Sequence, residues 1–143
     1  MTKYVLALAA ALAAGLAHAQ VEVKNAWVRG MVPTQSVTGA FMRITSKTDA
    51  KLVGVKTPVA GMAELHRTTS EGGMMHMSPV NSIPLPAGKP VDLAPGGYHV
   101  MMMHVSKPLT AGETVPMTLI VEEKDGKRES IEIKVPVKPL NTR

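Results

Sequence analysis

Apolar residues in this chain recur at alternate positions in short runs, and each run ends at a cluster of turn formers. A period of two puts successive side chains on opposite faces of an extended backbone, so the pattern predicts strands rather than helices. The predicted strands cover 21–29, 39–45, 51–56, 62–68, 74–77, 91–93, 98–105, 114–123 and 130–137. Asp125-Gly126, between the last two, is a strong hairpin dipeptide. Trp27 is the expected core anchor of the first strand. Prolines at 79, 84, 86, 90, 95 and 108 discourage long helices and long central strands in that stretch. Strands rich in Val, Ile and Thr at this spacing indicate one all-β domain built as an antiparallel β-sandwich.

Residues 1–19 have a different character. Lys3 is followed by an apolar run from Val5 to Leu16 and by Ala17-His18-Ala19, the three parts of a secretory signal peptide cut after Ala19. The run is shorter than the roughly 20 residues that span a bilayer, and no second one follows. The expectation is export to the periplasm, no stable membrane insertion, and a single domain at 20–143. That length supports a core without disulfides. The chain carries 16 Lys and Arg against 11 Asp and Glu, a formal net charge of +5, but the charges are dispersed. With one Trp, two Tyr and one Phe, it offers neither the basic stripe nor the stacking platforms that nucleic-acid binding requires. No nucleophile–base pairing or paired-acid signature is visible, so an enzyme is not expected.

Candidate chemistry comes from what is missing as much as from what is present. There are 11 methionines and no cysteine, which removes thiolate sites such as zinc ribbons, iron–sulfur clusters and blue-copper centres. Imidazole and thioether donors remain, a neutral and soft set that favours copper(I) over zinc, magnesium or calcium. His66, Met77, His99 and Met101 are the candidate ligands. On extended strands His66 shares a face with Met62 and Glu64, and His99 shares one with Met101 and Met103. Donors two residues apart on a strand lie roughly 7 Å apart on one side. Gly72-Gly73 and Pro95-Gly96-Gly97 precede two of the donor segments and suit tight turns that bring them to one end of the sandwich.

Each residue also has an ordinary reading. Methionine is an adaptable core filler, and a lone histidine is more often hydrogen-bonded than ligating. Met62, Met75 and Met103 share faces with the candidate ligands and could serve as spare donors or as an apolar wall. Met102 should face the core. His76 and His104 fall on the opposite faces of their strands from Met77 and from His99. Glu64 could accept a hydrogen bond from His66 and orient its ring.

Taken together, Met62-Ala-Glu-Leu-His66, Gly73-Met-Met-His-Met77 and Pro95-Gly-Gly-Tyr-His99-Val-Met101 closely resemble the periplasmic PCu(A)C copper chaperones. The spacing His-x10-Met-x21-His-x-Met reproduces that family's signature without a gap, and the likeness runs from about Val21 to Val137. The resemblance implies a cupredoxin-like, Greek-key β-sandwich. It also implies copper(I) bound by His66, Met77, His99 and Met101, and delivery to the CuA centre, or another copper centre, of cytochrome c oxidase. A Sco-type thioredoxin-like partner belongs to the same picture, and the carrier itself is expected to be a monomer. The chain ends Pro139-Leu-Asn-Thr-Arg143 without the His- and Met-rich tail that some members carry, which argues against a second site for copper(II). A copper-buffering protein without a dedicated acceptor would use the same donors and is the alternative.

Overall fold

The computed structural model describes residues 20–142, so the signal-peptide reading of 1–19 lies outside the described residues. Ten strands form: β1 (Val21–Arg29), β2 (Thr38–Ser46), β3 (Ala50–Lys56), β4 (Ala60–Glu71), β5 (Met74–Pro79), β6 (Ile83–Leu85), β7 (Val91–Leu93), β8 (Tyr98–Val105), β9 (Thr114–Glu123) and β10 (Arg128–Lys138). They hydrogen-bond in the order β5-β4-β8-β2-β1-β10-β9-β3-β6, with β7 added beside β2. The sheet folds its two halves around one core. Val28, Ile44, Leu65, Val100 and Met102 come from the first half, and Leu52, Leu119, Val121 and Val135 from the second. Among the described residues no helix is long and apolar enough to cross a membrane.

Three features depart from the alternation read in the sequence. The sheet is mixed rather than wholly antiparallel, because β1 and β10 pair in parallel, Val28 beside Val137. Parallel neighbours need a long connection, and here it is almost the whole domain, beyond the reach of local patterning. β6 was not expected, since Ile83-Pro84-Leu85 carries a proline inside a three-residue strand. It pairs only with β3, at the sheet's edge, where a missing N–H is tolerated.

The third departure concerns Trp27, which is buried but lies outside the main core cluster. The β1–β2 register shifts between Lys24 and Trp27, and Asn25 there takes a left-handed conformation with φ 55°. A bulge of one residue reverses the parity of everything after it. Val21 therefore joins the core before the bulge and Val28 after it, while Trp27 is turned to the outer face.

Core packing yields a direct stability prediction. Leu119 is fully buried and lies in β9 between Val55 of β3 and Ile131 of β10. Leu119→Ala should destabilise the fold by about 2–5 kcal/mol in urea denaturation, the range for truncating a packed leucine. A loss below about 1 kcal/mol would contradict this placement of the core.

Candidate metal centre

β4 and β8 pair antiparallel with His66 directly opposite His99 and Glu64 directly opposite Met101. Residues opposed across a ladder present their side chains to the same face. β5 pairs with β4 so that Met77 faces Thr68, two residues along β4 from His66, and Met75 faces Ser70. All four candidate ligands therefore lie on one face, the one turned away from Leu65, Val100 and Met102. The cluster lies on the outer face of the sheet, and the Pro95-Gly96 turn lines the same pocket as Met77, His99 and Met101. His76 and His104 are exposed. His76 pairs with Thr69, so it faces away from Met77.

Local backbone explains how the donors are held. Pro95-Gly96 forms a type II turn, with Gly96 at φ 91° and the Gly97 N–H donating to the Ala94 carbonyl at 3.0 Å. The Gly97 carbonyl then accepts from Thr68 N–H at 3.0 Å and from His99 Nδ1 at 3.2 Å. Gly72 and Gly73, both with positive φ, close the β4–β5 hairpin that carries Met77.

Those hydrogen bonds determine which ring nitrogens are free. A carbonyl only accepts, so His99 carries its proton on Nδ1 and keeps the lone pair on Nε2. Similarly, His66 Nε2 donates to the Glu64 carboxylate at 2.9 Å, leaving the lone pair on Nδ1. His99 Nε2 and His66 Nδ1 are both buried and both lack a hydrogen-bond partner. The ring centroids stand 5.8 Å apart. Metal–nitrogen bonds of about 2 Å allow two imidazoles to share one ion at such a separation.

The surroundings suit a soft ion. Rings of Trp27, Phe41, His99 and His66 form a row across β1, β2, β8 and β4, with successive centroids 4.6, 6.2 and 5.8 Å apart. Arg29 stacks over Trp27 and Phe41. Burial pushes the His99 pKa down, and the nearby charges of His66 and Arg29 push the same way against the Gly97 hydrogen bond. A neutral His99 is the form that can ligate. Among the described residues no three His, Cys, Asp or Glu side chains gather as a metal cage. Met75, Met77, His99 and Met101 line a common pocket with Thr68 and Phe41. Nothing local in the sequence points to Phe41 and Arg29, because only the order of strands reveals that β2 lies beside β8 and β1 beyond it.

Three comparisons with known proteins bear on this arrangement. The copper(I) form of DR1885 from Deinococcus radiodurans superposes with a TM-score of 0.62 at 37% identity, over 88% of this chain and 85% of that one. The apo PCuAC domain from PmoF1 gives a TM-score of 0.67 at 25% identity, over 84% and 94%. The family described as LpqE-like ("Putative lipoprotein LpqE-like") matches residues 21–137. The chain belongs to that family, the PCuAC proteins. A relative in Leifsonia xyli subsp. xyli (strain CTCB07), named "Putative lipoprotein Lxx21020", is 33% identical over 100 residues, 69% of this chain. The chain spans 60% of that curated relative's length.

The depressed His99 pKa has a consequence for the metal-free protein. In the unfolded chain this histidine protonates near its ordinary pKa of 6.5, whereas in the folded protein it resists the proton. As pH falls below that value the unfolded state binds protons first, so the stability due to His99 is intact above it and is lost progressively below. Urea denaturation at about pH 7.5 and about pH 5.5 should show the wild type losing more stability than His99→Asn. Equal losses in the two proteins would contradict the assignment.

Proposed function

We propose that this protein is a periplasmic metallochaperone that holds one copper(I) ion between His66, Met77, His99 and Met101. It delivers that ion to the CuA centre, or another copper centre, of cytochrome c oxidase. The reading is carried by the two unpartnered lone pairs, His66 Nδ1 and His99 Nε2, on opposed residues beside a thioether pocket. Buried polar atoms normally find partners, and an absent ion is one physical reason for a pair that does not. The copper(I) form of the Deinococcus protein, at 37% identity, supports the choice of ion. The apolar leader at 1–19 and the lipoprotein name of the Leifsonia relative support export. Two half-sheets around one core support the cupredoxin-like Greek-key description.

Copper is cargo here, bound and released without chemical change. Four neutral ligands leave the ion with its single positive charge. An acceptor that presents thiolates adds negative charge and softer sulfur, so transfer runs downhill toward it. Partly exposed thioethers are the ligands an acceptor displaces first, with a Sco-type thioredoxin-like protein as the assisting partner and the chaperone acting as a monomer.

Copper(I)-loaded protein mixed with an apo CuA domain should lose its metal to that domain, read by separating the two proteins and measuring copper in each. Normal loading followed by retention on this protein would remove the delivery role and leave a copper-buffering protein.

A further inference from the structure

Exposure is graded along the thioether side of the site. His99 is 3% exposed, Met101 is half-buried, and Met77 and Met75 are 59% and 67% exposed. β5, which carries the last two, is the terminal strand of the sheet and is exposed throughout. Met75 and Met77 stand two residues apart on the face shared with His99, and both line its pocket. Met74 is equally exposed at 65% but has the opposite strand parity and does not line the pocket. Methionine's three rotatable bonds let its sulfur sweep several positions without moving the backbone.

We propose that Met75 is a hand-over ligand, a thioether outside the resting site that takes the outgoing copper(I) at the rim of the pocket. This rests on the four-residue copper(I) reading above. The resting ion is held by a nitrogen, His99 Nε2, that has almost no contact with solvent and that no acceptor protein reaches directly. Release therefore needs an intermediate in which the ion has left that nitrogen but is not bare. Met75 supplies it by ligand exchange: a bond from Met75 Sδ to copper forms, and the bonds from His99 Nε2, His66 Nδ1 and Met101 Sδ to copper break in turn, while the bond from Met77 Sδ is kept. Copper remains monovalent, and no proton or electron is transferred. Met75 and Met77 then hold the ion at the exposed edge with one side open to incoming soft donors. Met77 is shared between the two positions, which keeps the ion bound throughout.

The test separates rate from affinity. Copper(I)-loaded wild type, Met75→Leu and Met74→Leu are each mixed with excess bathocuproine disulfonate, and the coloured copper(I) complex is followed by stopped flow. Equilibrium affinities are measured separately by competition with the same chelator. Leucine conserves bulk at these exposed edge positions and leaves the core untouched. Met75→Leu should slow transfer several-fold while changing the equilibrium affinity far less, and Met74→Leu should match wild type in both. Transfer from Met75→Leu at the wild-type rate overturns the proposal, as does slowing by both variants alike. So does a fall in affinity that matches the change in rate, since that marks a static ligand. Failure of the wild type to load copper(I) at all is seen before any transfer and overturns the underlying site reading instead.

Discussion

The opposition of His66 and His99 across the β4–β8 ladder is the constraint on which the rest of this structure depends. The two rings are held by a register, and the register is held by the core. Leu65, Val100 and Met102 occupy alternate positions on the same two strands and are buried on the other face. A slip of one residue would bring histidines and glutamate into the core and expose those side chains. Hydrophobic packing on one side of the sheet thus fixes donor geometry on the other. The hydrogen bonds to Gly97 and Glu64 then fix the ring orientations on that face.

The site also carries a local cost in the metal-free protein. A buried acceptor without a hydrogen bond is unfavourable by about 1–3 kcal/mol, and there are two of them here. Both arise because the opposite nitrogen of each ring is tied to a group that only accepts, the Gly97 carbonyl for His99 and the Glu64 carboxylate for His66. The same ties that create the unfavourable lone pairs also aim them. On the proposed copper(I) reading, one ion between the rings satisfies both nitrogens, and donors already ordered by the fold favour affinity. The aromatic row from Trp27 to His66 keeps water from the deeper nitrogen, while the thioether side stays open.

Much of this was legible in the sequence because strands have a simple period. Alternation alone put His66 with Glu64 and His99 with Met101 on shared faces, with Met102 toward the core. Pro95-Gly96 read as a type II turn from composition and forms one. What escaped was whatever depends on strand order or on breaks in the period. The neighbours of β8 are β4 and β2, and nothing local in the chain names them, so the contribution of Phe41 and Arg29 was invisible. The bulge at Asn25 reverses the parity of Trp27, and asparagine in the left-handed conformation leaves only a faint trace in sequence. The parallel β1–β10 contact joins the two ends of the domain, the longest-range pairing and the hardest to read.

X-ray absorption of the copper(I)-loaded protein, wild type beside a Met77→Leu/Met101→Leu double variant, tests the central claim most directly. The account predicts a wild-type shell that mixes imidazole nitrogen with thioether sulfur, and a variant that keeps the nitrogens and loses the sulfur. A shell of nitrogen and oxygen alone in the wild type, or sulfur scattering undiminished in the variant, would contradict it.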